Sequence, residues 1–268
     1  MVAGIVLLSF GALLMTGVSN ASAQPSAQSS SDPTIASYNW AGYAATGASG
    51  SVALVNGSWV EPTIACSTIH PTTLASIWVG VDGYPTASST STVEAVGTTA
   101  RCLSGHPAYL AWYEIYPAPP VVFMTVSAGD TIHAQVIPNP NPPFPVIFVF
   151  RDVTNNTTYS TTQLASPTAP LSSAECIVQR VLSSGLEYAS PALTSGPAPP
   201  FVAFTHFTAV TFSYCTAHIG SAGPIGIATF PAAHVFHFHL TKVGATTFAR
   251  TSVATGPFST YKVKWKHF

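Results

Sequence analysis

Twenty-three prolines and 19 glycines cut this 268-residue chain into short runs, and that punctuation restricts its fold more than any other feature. A proline inside a helix removes a hydrogen bond and clashes with the preceding turn, so no long periodic helix is left. From Ser37 onward, short runs rich in Val, Phe, Thr and Tyr alternate with clusters of Gly, Pro, Ser and Asn. That spacing predicts an all-β protein, an antiparallel β-sandwich of two large sheets. A strand is expected over Thr131–Ile137, after the turn Ser127–Asp130. Two more, Val146–Val153 and Thr157–Gln163, flank Asn155-Asn156, a hairpin tip whose asparagines tolerate positive φ. At the C-terminal end Tyr261, Val263 and Trp265 alternate with Lys262, Lys264 and Lys266, an apolar face and a lysine face. Such a lysine row usually is a solvated face that discourages edge-to-edge pairing; a binding patch is the alternative. Pro138–Pro145 and Pro197–Pro200 read as loops, and no repeat or composition shift demands a second domain.

Only 6% of residues are charged, against about 25% in a typical domain. Eight basic and nine acidic side chains give a formal charge of -1, so the chain lacks the electrostatic footprint of a nucleic-acid binder. An apolar content of 47% excludes general disorder. Few ionisable groups also mean a small swing in net charge on acidification, which suits acid tolerance; a low-complexity secreted surface is the alternative reading. The apolar run Gly4–Met15 is short for a membrane span and precedes Ala21-Ser22-Ala23, a small-x-small cleavage site. No Lys or Arg precedes that run, and a membrane anchor is the alternative reading. The expected organisation is a signal peptide over 1–23, a flexible leader over 24–36 and one domain over 37–268. The product would be a secreted monomer, free of the membrane after cleavage. Four cysteines suit an exported chain with up to two disulfides. Cys66–Cys102 is the expected bridge; Cys176 and Cys215 are either a second bridge or free thiols.

Several chemistries have no support. The chain has no His-Glu-x-x-His, no Gly-x-Ser-x-Gly and no Asp-Thr/Ser-Gly. No Gly-rich loop joins a strand to a helix, so no nucleotide and no other cofactor is expected. His237 and His239 would share a strand face near His234 and could ligate zinc or copper. No Cys or acid sits beside them in sequence, an ordinary half-buried strand explains them equally, and no metal is expected. Of nine acids, Asp82, Glu94, Glu114 and Glu175 lie inside apolar, strand-like segments. A carboxylate buried there either finds a partner or holds its proton to higher pH, and a carboxyl so tuned can act as general acid or base. Parity puts Trp112, Glu114 and Tyr116 on one face and Trp78, Gly80 and Asp82 on another. Aromatic-plus-acid faces on two strands suit a cleft.

These residues resemble the glutamic peptidases, or eqolisins. The resemblance runs through Asn39-Trp40-Ala41-Gly42, Gly57–Pro62, Trp78–Gly83 (WVGVDG), Thr92–Thr98 (TVEAVGT), Ala111–Pro117 (AWYEIYP) and Ala174–Val178 (AECIV). It implies a lectin-like β-sandwich that cleaves polypeptides at acid pH through a Glu–Gln dyad, without metal or covalent intermediate. By the resemblance, Glu175 is the general base that draws a proton from the attacking water and returns it to the leaving amine. The family's glutamine, which holds that water and donates to the oxyanion, falls on Ala95, and an alanine can do neither. Glu94 could take its place only through a slip or bulge, because neighbours on a strand point to opposite faces. Cys176 and Gln179 also depart from the family's usual Trp and acid. Trp78, Asp82, Glu94, Trp112 and Glu114 would line the substrate cleft or support the dyad. Two expectations follow: an acid endopeptidase, impaired at Ala95, or an inactive relative that binds peptides or glycans in the retained cleft.

Overall fold

The computed structural model describes residues 34–70, 72–84, 92–166, 168–183, 198, 200–231, 234–241 and 247–266. The expected signal peptide, 1–23, and most of the expected leader lie outside the described residues. Strands dominate what is described, with one short 3-10 turn at Ile227–Thr229 and no α-helix. The first six strands are β1 (Thr34–Ser37), β2 (Trp40–Thr46), β3 (Val52–Val60), β4 (Ile64–Ala65), β5 (Thr72–Val81) and β6 (Val93–Leu103). Next come β7 (His106–Tyr116), β8 (Val121–Thr125), β9 (Thr131–Pro138), β10 (Pro145–Asp152), β11 (Thr157–Leu164) and β12 (Ser173–Gln179). The last six are β13 (His206–Phe207), β14 (Val210–Ile219), β15 (Ala222–Gly226), β16 (Val235–Thr241), β17 (Thr247–Thr251) and β18 (Tyr261–Trp265).

The expected strands of the middle region form as the period-two pattern requires. In β9, Ile132, Ala134, Val136 and Pro138 are buried while the residues between them are partly exposed, and β10 buries Val146, Phe148 and Phe150 in the same way. At the β10–β11 turn Asn156 takes φ 51°. Asp152 holds that turn by accepting from the backbone N–H of Asn155 at 3.0 Å and from its side-chain amide at 2.7 Å.

Fourteen of the strands join in one ladder, in the order β11-β10-β9-β3-β14-β18-β17-β16-β2-β12-β5-β6-β7-β8, with β1 added at β16 and β15 at β14, while β4 and β13 pair apart from it. It folds over so that β3, β9, β10 and β14 pack on β12, β5 and β6. The two expected sheets are therefore two layers of a continuous sheet, turned at β18-β17-β16. Between the layers lies an apolar core that includes Val79, Val96, Phe148, Phe150 and Phe212. Cys66–Cys102 is bridged as expected. The question left open by the sequence is answered too: Cys176 and Cys215 are bridged, and the bond ties β12 to β14 across the layers.

Two expectations change. The leader was expected to run to residue 36, but Thr34–Ser37 is captured as β1 by parallel pairing with β16. The lysine-bearing strand β18 is hydrogen-bonded on both sides, to β14 and β17, so its lysines guard no edge.

Candidate active site

Register assembles the site. Glu175 on β12 lies opposite Ala44 of β2 on one side and Gly80 of β5 on the other. Gly80 in turn faces Ala95 of β6, and Ala95 faces Glu114 of β7. Residues directly opposite share a sheet face, so one row reads Ala44, Glu175, Gly80, Ala95, Glu114. Strands lie about 4.8 Å apart, which puts the Cα atoms of Glu175 and Ala95 roughly 10 Å apart. The adjacent row on the same face reads Gly42, Ile177, Trp78, Gly97, Trp112. This face looks away from the inter-layer core and carries its own cluster, with Trp40, Trp78, Trp112, Ile177 and Phe238 buried together.

Small residues flank the carboxylate for a packing reason. At Gly80 a Cβ would come within 2.7 Å of the Trp78 ring. At Gly83 it would meet Trp40 at 2.6 Å and the Glu175 carboxyl carbon at 3.1 Å, so only glycine lets that backbone approach. The Gly83 N–H then donates to Glu175 Oε1 at 3.2 Å. The indoles are fixed by their N–H groups, Trp78 to Gln179 Oε1 at 2.8 Å and Trp112 to Thr99 Oγ1 at 2.9 Å. Trp40 stands edge-on to both Trp78 and Phe238, at 5.3 and 5.5 Å between ring centres.

Glu175 is fully buried, and its Oε2 has no hydrogen-bond partner. Burial pushes its carboxyl well above the usual carboxylate range. The Ser173 hydroxyl and the Gly83 N–H pull the other way, while the charges of Asp82 and Glu94 add to the rise. No cation among the described residues offsets them. Burial in this setting favours the neutral form of the carboxyl over the charged one.

Asp82 occupies the end of β5 with φ 71°. Its carboxylate accepts from the backbone N–H groups of Leu171 at 2.7 Å and Ser172 at 2.8 Å, which anchors the segment that leads into β12. Burial nonetheless raises it to about 6, against those backbone bonds. Trp78, Trp112 and Glu114 share the face of Glu175. Glu94 does not: the β5–β6 ladder runs from Thr72 to Val81 without a bulge, so Glu94 points with Val81 toward the inter-layer side. Parity therefore sets Glu94 on the other face of β6 from Ala95, while its charge still adds to the rise at Glu175. Burial, with the Asp82 charge second, pushes its carboxyl well up.

Sequence reasoning passed over Gly83, Ser173 and Gln179 as working parts. Gly83 closes the WVGVDG motif, and Ser173 stands two residues before Glu175 on the same face, so parity could have found both. Among the described residues no three His, Cys, Asp or Glu side chains are grouped to hold a metal. His237 and His239 face the opposite side of the sheet from Glu175, in register with Tyr43 rather than Ala44.

Comparison with known proteins accords with this arrangement. None of the curated proteins matches the chain. Solved structures do. Scytalido-glutamic peptidase bound to a peptide-based transition-state analogue superposes with a TM-score of 0.64 at 19% identity, over 85% of this chain and 98% of that one. A member of the eqolisin family, SCP-B in complex with the tripeptide Ala-Ile-His, gives 0.62 at 18% over 85% and 98%. Aspergilloglutamic peptidase from Aspergillus niger gives 0.53 at 22% over 72% and 99%. These likenesses speak to the fold. The sequence model of the Peptidase A4 family matches residues 38–256, and on that match the chain belongs to the Peptidase A4 family, the glutamic peptidases.

Proposed function

We propose that this chain is a secreted endopeptidase of glutamic type, with Glu175 as general base and a rate limited by Ala95. The observation that carries the reading is the shared row of Glu175 and Ala95 on one sheet face, with only Gly80 between them. A water held beside the Glu175 carboxylate would lose a proton to it while its oxygen adds to the scissile carbonyl. The protonated Glu175 would then give that proton to the amide nitrogen as the C–N bond breaks, leaving a free carboxyl and a free amine. At residue 95 a glutamine amide would hold the water and donate to the oxyanion; the methyl of alanine does neither. Losing one such donor lowers turnover by roughly 10²–10³-fold. Two disulfides suit an oxidising, extracellular compartment.

A second reading has its own support. Full burial of Glu175 together with Ala95 suits a relative that binds polypeptide in the cleft without cutting it. Hydrolysis of casein or a fluorogenic peptide library between about pH 2 and 5 separates the two. The wild type should cleave slowly, Glu175→Gln should not cleave, and Ala95→Gln should be faster. Equal rates in wild type and Glu175→Gln would remove Glu175 as the base.

A further inference from the structure

Every acid among the described residues is buried: Glu61, Asp82, Glu94, Glu114, Asp130, Asp152 and Glu175. The exposed charges of those residues are all basic, namely Arg151, Arg250, Lys262, Lys264 and Lys266. Four of these five gather on β17–β18 and the residue that follows. Lys262 and Lys264 project from one face of β18 about 7 Å apart. Arg250 on β17 lies directly opposite Lys264, and His239 of β16 lines the same recess as Arg250. Like charges directly opposite one another weaken a sheet, and no carboxylate among the described residues lies between them. Because β18 is an interior strand, edge protection does not account for the lysines.

The same face is recessed beside Arg250. A cavity of about 310 Å³ is lined there by His237, His239, Arg250, Thr251 and Ser252 among others, with no acidic residue. The Arg250 charge and burial both hold His239 below its ordinary value, burial being the larger cause. Near the start of β18 stand two exposed aromatics, Tyr214 and Phe258, with ring centres 5.4 Å apart.

We propose that the exposed face of β17–β18 that carries Lys262, Lys264 and Arg250 is a docking surface for an acidic polysaccharide, in which these three cations pair with successive acidic groups. One acidic substituent enters the recess beside Arg250, and a sugar ring stacks on Tyr214 and Phe258. Spaced cations on a flat strand suit a linear polymer better than a small anion, which could meet one or two of them. The recess suits a group projecting from a chain better than the flat surface of a vesicle. Two disulfides suit an extracellular setting, where such polymers rather than nucleic acids are met.

The test is binding of the full chain to dextran sulfate at low salt, by calorimetry, with neutral dextran as control. The triple variant Arg250→Gln/Lys262→Gln/Lys264→Gln should bind roughly tenfold or more weakly, with a slope of log K against log salt shallower by about 2. Arg250→Lys, which keeps the charge, should bind within about twofold of wild type, with folding checked by thermal denaturation of each variant. Equal binding of wild type and triple variant, or equal binding of neutral dextran, would overturn the proposal. So would tighter binding to a single-stranded oligonucleotide or to phosphatidylglycerol vesicles than to dextran sulfate.

Discussion

Glu61 offers the sharpest physical test of how this fold handles its acids. The residue sits at the end of β3 with 1% exposure. Its Oε2 accepts from the Trp59 indole at 3.1 Å and the Thr98 hydroxyl at 2.7 Å, while Oε1 has no partner. Burial raises its carboxyl from 4.5 to about 7, against those two hydrogen bonds and with a smaller push from Asp130. Below 4.5 the group is protonated in both folded and unfolded chains. Its contribution is then whole. Between 4.5 and about 7 the unfolded chain ionises while the folded one keeps its proton, so stability falls as pH rises. Once pH passes about 7 the contribution is gone, a loss of roughly 3 kcal/mol from this one group. Glu61→Gln keeps the shape and the acceptor but cannot ionise. It should be about as stable as wild type at pH 4. At pH 8 it should melt roughly 6–12 °C higher, given about 2–4 °C per kcal/mol for a chain of this size. Urea or thermal denaturation at both pH values measures the difference. A variant that loses stability with pH as steeply as wild type would refute the argument.

Other outcomes follow from the same geometry. Because burial raises Glu175, turnover that uses its ionised form should climb with pH through the acid range; a rate already level at about pH 3 would contradict that. Replacing both Cys176 and Cys215 by alanine opens a bridge spanning 39 residues, and should lower unfolding free energy by about 4 kcal/mol in urea titrations. Gly83→Ala places a methyl against Trp40 and Glu175, so it should destabilise by about 1–3 kcal/mol and depress any peptidase activity.

Much of the site was legible in the chain itself because strand parity is a local property. Trp78 with Gly80, and Trp112 with Glu114, were assigned to common faces by spacing alone, and ladder register agrees. The same parity separates Glu94 from Ala95, and the unbroken β5–β6 ladder keeps them on opposite faces. Asp82 is expected from the resemblance either to line the cleft or to support the dyad. Its carboxylate grips the backbone before β12 across 89 residues of sequence, a contact no local pattern encodes.

What the amino-acid sequence determined on its own is the all-β class and the strands and alternating faces of segments such as Thr131–Ile137, Val146–Val153 and Tyr261–Trp265, since turn residues and period-two alternation act over a few neighbours. Which strands become neighbours is a long-range matter. Only the folded chain put Ala95 one strand beyond Gly80 from Glu175, closed Cys176 onto Cys215, and moved β18 from an expected edge to the middle of the sheet. It also decided that every described acid is buried while cations hold the surface, because burial depends on what packs above a residue and not on its sequence neighbours.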